Sequence, residues 1–250
     1  MPISLLNLSQ AFQHFFVGRA QYPNFKSKHR RQSIQFPQNV LLVSDAAIKF
    51  PGSLGVVVAK IHRPIEGTLK TVTVSRYPDG KYFASLLVED GTAKPELSST
   101  GKVIGLDLGL TDFAIASDGS KFPHPRPLNK YERNLKRKQR KLARRKKGSQ
   151  NRHKARLKVA KVHSKIARVR EDFHHKLSRK IVNENQAIVV EDLAVKNRVK
   201  NHNLAQAISD VGWGQFCTML KYKQSLKVRC TWRLGDSSPL PTSAQTGCYR

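Results

Sequence analysis

The sequence predicts an α/β protein: an antiparallel β-domain, then an α/β domain that carries a long basic helical hairpin. Three observations carry this. Between residues 40 and 90 short apolar runs alternate with turn signals, as in antiparallel strands. Two later runs, at 103–107 and 188–191, are apolar and each ends in an acid. Between them Val159, Val162, Ile166, Val169, Phe173, Leu177 and Ile181 recur three and four residues apart, the stripe of an amphipathic helix.

Charge narrows the function classes. The 250 residues hold 46 Lys and Arg against 17 Asp and Glu, a net of +29, which calls for a polyanionic partner: nucleic acid first, an anionic membrane surface second. No apolar run is long enough to span a bilayer, and no basic segment followed by an apolar stretch opens the chain as a signal peptide would. Cys217, Cys230 and Cys248 are scattered and form no C-x-x-C pair, which argues against a disulfide framework or a zinc site. The protein is read as intracellular, with nucleic acid rather than a membrane as its partner.

Within the first domain, Leu5, Leu8, Phe12, Phe15 and Phe16 suggest the end of a helix. Residues 22–28 are extended, aromatic and basic, so Lys26 and Lys28 are candidate phosphate contacts with rings beside them for stacking; a solvated loop is the plain alternative. The run at 56–58, the alternating run at 69–75 and the run at 82–88 after Pro78-Asp79-Gly80 predict a hairpin within a small antiparallel barrel or sheet. Linker composition at 90–101 separates a domain at 1–97 from one at 101–232.

The second domain opens on Val103-Ile104-Gly105-Leu106-Asp107-Leu108-Gly109-Leu110-Thr111. A carboxylate closing a buried strand is costly unless a cation meets it. Gly109 permits a sharp turn and a close ligand, and 112–117 returns as a second strand ending at Asp118-Gly119. Asp107 is thus expected at an open sheet edge facing a metal ion or phosphate; an Asp that merely caps a turn is the alternative. Residues 130–170 hold nineteen Lys or Arg and one acid, Glu132. Two helices are expected, at about 130–147, with Leu135 and Leu142 a heptad apart, and from Asn151 past 180, as an insertion over 128–183. Their basic face offers Arg137, Lys138, Arg140, Lys141, Arg144, Arg145, Lys146, Lys147, Arg152 and Lys154 to phosphates. His163, His174 and His175 fit no ligand spacing and read as ordinary helix residues. The run 186–193 repeats the strand-then-acid pattern, and side by side the two strands would join Asp107 and Glu191 as a site for Mg²⁺ or Mn²⁺, with Asp192 on the opposite face. Such a pair is half of a two-metal phosphodiester-cleaving site. Leu204, Ala207, Ile208, Val211, Phe216 and Leu220 suggest helix interrupted at Gly212-Trp213-Gly214; a strand could start within 225–232, and 235–247 shows no pattern.

Taken together, Tyr22-Pro23-Asn24-Phe25-Lys26-Ser27-Lys28, Ile104-Gly105-Leu106-Asp107-Leu108-Gly109, the basic run with Asn151-Arg152, Val189-Val190-Glu191-Asp192-Leu193 with Asn197, and Trp213, Phe216 and Leu220-Lys221-Tyr222-Lys223 resemble the TnpB, or OrfB, insertion-sequence transposase family of RNA-guided DNA nucleases. More distantly the chain is similar to compact type V CRISPR effectors. The resemblance covers roughly residues 10 to 228. It implies a ribonuclease-H-like, RuvC-like catalytic domain with a helical insertion, preceded by a wedge-type β-barrel. It implies Asp107 and Glu191 as catalytic metal ligands, a guide RNA, duplex DNA as target, and a prokaryotic, cytoplasmic, nucleoid-associated setting. The family pattern continues past Lys227 with a strand, a four-cysteine zinc ribbon and a third catalytic Asp. No ribbon ligands are found here, and Asp236 has no matching context. A degenerate or out-of-frame tail is therefore expected from about Cys230, with 233–250 outside the domain. The start is read as lacking the family's first strand and part of its helical lobe. A site missing one of its three carboxylates holds its metals poorly, so weak or absent cleavage with retained nucleic-acid binding is expected. The main alternative is a non-catalytic RNA- or DNA-binding protein on the same scaffold. An actin-like or sugar-kinase ATPase, which also uses D-x-G-x-T, needs a second glycine-rich phosphate loop that this sequence lacks, and gives no reason for +29.

Overall fold

A computed structural model describes residues 3–25, 32–37, 39–44, 46–62, 64–92, 102–191, 193, 198–202, 204–226 and 230–234. The chain divides into two compact units, Met1–Thr92 and Ala93–Arg250.

The first unit opens with helix α1 (Ile3–Phe16), about four turns long, none of whose residues is buried. Its aromatic residues gather around Tyr22, whose ring meets Phe12 and Phe15 edge-on at 5.7 and 5.5 Å. Strands β1 (Gln32–Phe36), β5 (Thr68–Arg76) and β6 (Tyr82–Glu89) form one antiparallel sheet; β2 (Leu41–Ser44), β3 (Ala47–Lys49) and β4 (Val56–Val58) form another. The β5–β6 hairpin closes as its turn residues dictate. Gly80 takes φ +83°, and Asp79 Oδ1 accepts the Lys81 amide at 3.2 Å. Val40, Ile48, Phe50 and Val72 make the core of this unit, with the Phe36 ring tilted 5.0 Å from that of Phe50. Among the described residues no strand pairing joins the two sheets, which lie as two short antiparallel sheets over one core.

The second unit is α/β. Strands β7 (Val103–Asp107), β8 (Asp112–Ala116) and β9 (Lys121–Pro123) precede helices α2 (Pro127–Ala143) and α3 (Gln150–Glu184). Strand β10 (Ala187–Glu191), helices α4 (Ala205–Val211) and α5 (Trp213–Leu226) and strand β11 (Cys230–Leu234) follow. The sheet order is β11-β10-β7-β8-β9. Strands β11, β10 and β7 are parallel, and β8 runs against both β7 and β9. The ends of β7, β9, β10 and β11 therefore share one edge.

One face of this sheet is buried. Ile104, Leu106, Ile188 and Val190 meet Leu177, Ile181 and Val182 of α3 and Ile208, Trp213, Phe216 and Leu220 of α4 and α5. The 35-residue α3 has two jobs along its ~52 Å length. Its first half packs Val159, Val162 and Ile166 against Leu135, Tyr131 and Leu142, all of α2; its second half covers the sheet.

Two sequence expectations change. Helix α5 begins at Trp213, so only Gly212 interrupts the helical run, at φ +70°. Strand β11 reaches into the stretch expected to be degenerate: Cys230 to Leu234 pair in parallel with Ala187 to Glu191. Backbone ladders do not depend on side-chain identity, and Cys-Thr-Trp-Arg-Leu is β-prone.

Candidate active site

Strand alternation builds the site. Leu106 and Val190 point into the core, 3% and 2% exposed, and are register partners across β7 and β10. The next residue on each strand is an acid, Asp107 and Glu191, and period-two alternation turns both onto the opposite face. Neighbouring strands lie ~4.8 Å apart. The two carboxylates thus share one face at the carboxyl ends of adjacent parallel strands, where ligands of α/β sheets bind. Asp107 is exposed and Glu191 half-buried. Arg198 Nη2 stands 3.7 Å from Glu191 Oε1, a loose, half-exposed counter-charge.

The loop after Asp107 is closed tightly. A Cβ on Gly109 would lie 2.9 Å from the Asp112 carbonyl oxygen, so it is the hairpin's own backbone that requires glycine there. On the same edge β9 ends at Pro123, the register partner of Asp112. The chain then passes through His124, Pro125 and Arg126 into α2. Arg126 holds left-handed φ 42° and ψ 56°, and its Nη2 donates to Thr111 O at 3.4 Å.

The basic hairpin is anchored beside this edge. Asp210 of α4, 7% exposed, accepts the Leu128 amide through Oδ2 at 3.1 Å and so caps α2 from a distant element. Arg170 Nη1 donates to Ser209 O at 2.7 Å, and His174 Nε2 donates to Val211 O at 2.9 Å. A Cβ on Gly212 would meet Arg170 Cδ at 3.1 Å and His174 Cε1 at 3.2 Å. His174 is fully buried against Phe113 and Phe216; burial pushes its pKa down to about 4, so it is a neutral core residue. Burial also lowers His124, against the opposing pull of Asp210.

The basic candidates divide by job. Arg137, Arg140, Lys141, Arg144, Arg145, Lys146, Lys147 and Lys154 are exposed, and Lys138 is half-buried. The ion pairs described on the hairpin, Lys136 with Glu132 and Lys176 with Asp172, involve none of them. Arg152 is different: its Nη1 donates to Leu142 O at 3.2 Å and Arg145 O at 2.9 Å, so it closes the α2–α3 turn. Lys26, Lys28, Asp192, Asn197, Asp236 and Cys248 lie outside the described residues. Phe25 is fully exposed. Among the described residues no group of three or more His, Cys, Asp or Glu could hold a metal, so Asp107 and Glu191 stand as a pair. No helix among them is long and apolar enough to cross a membrane.

Sequence reasoning passed over Arg126, Arg198 and Asp210. Only two carried a signal: Arg126 is bracketed by prolines, and Asp210 is an acid inside an apolar helical stripe.

Comparison with known proteins follows the same residues. The sequence model of OrfB_IS605, described as "Probable transposase", matches residues 84–202, which include Asp107, Glu191 and the hairpin. A protein of Streptomyces pristinaespiralis is 40% identical over 232 residues, 92% of this chain and 56% of its own length. One of Escherichia coli (strain K12) is 32% identical over 253 residues, 95% of this chain and 61% of its own. Both carry the name "Putative RNA-guided DNA endonuclease", the second with the suffix InsQ. Among solved structures, a chain of the Cas12f1-sgRNA-target DNA complex superposes with a TM-score of 0.52 at 10% identity, over 91% of this chain and 59% of that one, a likeness of fold. The chain thus spans less than two thirds of the length of the curated relatives it matches. With those matches and the strand-end acids in place, this chain belongs to the TnpB/OrfB family.

Proposed function

We propose that the second unit is the nuclease core of an RNA-guided DNA endonuclease, with a ribonuclease-H-like, RuvC-like sheet, and that the first unit is its wedge-type β-domain. The observation that carries this is the placement of Asp107 and Glu191 on one open face, at the ends of adjacent parallel strands. The names of the relatives support guide RNA and DNA as partners; duplex DNA is the proposed target.

Two carboxylates side by side are hard oxygen donors and suit Mg²⁺ or Mn²⁺. A bound ion would supply water activation and stabilisation of the leaving oxygen. Asp107 and Glu191 would hold it. Arg198 offers Glu191 a counter-charge until then, and its loose 3.7 Å contact is easily displaced. The exposed cations of α2 and of the turn that follows it would carry the nucleic-acid backbone without reading sequence. A pair of acids holds a divalent ion less firmly than three, so this chain is expected to bind nucleic acid well and to cut weakly or not at all.

The test pairs metal titration with cleavage of labelled DNA in Mg²⁺ or Mn²⁺. Asp107→Ala and Glu191→Gln should lose ion binding and keep nucleic-acid affinity. Robust cleavage that vanishes in Asp107→Ala would overturn the expectation of weakness and establish the nuclease. Ion binding that survives both substitutions would remove the site. The second reading, a binding protein without catalysis, is favoured by the hairpin's exposed cations and gains if no ion binds.

A further inference from the structure

We infer that Arg126 is a phosphate clasp of the candidate active site: it holds a non-bridging oxygen of the DNA backbone at the sheet end that also carries Asp107 and Glu191, two strands along from β7. The inference rests on reading those two acids as the metal-holding pair.

Two non-glycine residues among those described have positive φ, Asn39 and Arg126. Asparagine tolerates that region because its short side chain bonds locally; arginine gains nothing comparable there. Arg126 also precedes Pro127, and the residue before proline is disfavoured in helical conformations. Side-chain capping does not explain the choice, since Arg126 makes no cap hydrogen bond to α2. That task falls to Asp210 at the Leu128 amide. Strain of this kind persists where surrounding structure over-determines it, and it gathers at functional sites.

Position says which function. Strand β9 ends beside the start of β8, on the edge where β7 ends at Asp107. Arg126 reaches back from there to Thr111 O, four residues beyond Asp107, through one amino group. The guanidinium is exposed and has further N–H groups to donate. A planar fork fixed between two prolines is pre-organised for a phosphate oxygen, and bidentate recognition is what arginine offers over lysine. With acids holding an ion on one side and a fixed guanidinium on the other, the strand being cut would be positioned from two directions.

The experiment uses the full chain and Arg126→Gly and Arg126→Lys. Mn²⁺ binding is read by electron paramagnetic resonance, affinity for a labelled single-stranded oligodeoxynucleotide with and without Mn²⁺ by anisotropy, and unfolding by thermal melt. Arg126→Gly should bind Mn²⁺ like the parent and melt no lower, because glycine relieves the left-handed strain. It should lose about tenfold of the Mn²⁺-dependent gain in DNA affinity, the worth of one charge-assisted hydrogen bond. Arg126→Lys should recover part of that gain. A lower melting point with unchanged affinity would make Arg126 structural and overturn the proposal. So would a loss equal with and without Mn²⁺, or one confined to an RNA of the same sequence. Mn²⁺ bound with no Arg126 effect sinks the clasp alone; no Mn²⁺ bound by the parent sinks the site and the clasp together.

Discussion

At the scale of single residues, the second unit stores its polar groups where backbone needs them. His174 sits among aromatic rings with its one donated hydrogen bond going to the end of α4. Its folded pKa of about 4 lies below the ordinary value of 6.5. The unfolded chain therefore binds a proton that the folded chain refuses between those values. Stability is full above pH 6.5, falls as pH drops through 4, and is flat below it. The difference is on the order of 3 kcal/mol. His124, lowered by burial too, adds in the same direction. We predict that urea unfolding from pH 7.5 to 4 shows this loss, and that His174→Gln flattens the profile while keeping an N–H toward Val211. An unchanged slope would mean that another group titrates there.

At the scale of elements, the hairpin is built as a lever. Its outer part carries a compact apolar contact between α2 and α3, and its root is clamped by Leu128, Arg170 and His174 onto three consecutive residues of α4. The tip turn depends on Arg152, whose Nη1 donates to the Leu142 and Arg145 carbonyls where α2 ends. Both bonds come from the one Nη1, and a lysine amine ends one bond short of that position and falls short of both carbonyls. Arg152→Lys is expected to cost ~1–2 kcal/mol of stability, read as a lower thermal midpoint. Lys154→Ala, two residues on and exposed, should leave the midpoint in place and weaken nucleic-acid binding. Equal stability losses in the two variants would remove the distinction.

For the whole molecule the charge decides the conduct. A net of +29 with nineteen cations between residues 130 and 170 makes association with nucleic acid a counterion-release process. Plots of log affinity against log salt should be steep. Replacing Arg140, Lys141, Arg144 and Arg145 together by Ala should lower the slope by about 3–4 for duplex DNA, at about 0.9 for each phosphate no longer neutralised. A slope that does not move would place the phosphate track on another surface. On the proposed reading these cations meet backbone rather than base edges, and the weakening should then be similar across sequences.

Local pattern alone determined much of this. Apolar period and turn residues located the β5–β6 hairpin, α3 and the two acid-ended strands, because each signal lies within a few residues of its consequence. Charge calls for a polyanionic partner, since 46 cations cannot be neutralised internally by 17 acids. What only the tertiary structure decided depends on contacts between distant residues. That β10 lies beside β7, with Glu191 next after the last paired residue, is a matter of sheet order. That Arg152 is a staple, Asp210 a cap 82 residues from the amide it holds, and β11 the parallel neighbour of β10 is visible only once partners are in place. Side chains that satisfy backbone across the fold leave no periodic trace, and a parallel strand takes its hydrogen bonds from a neighbour that the local sequence does not name.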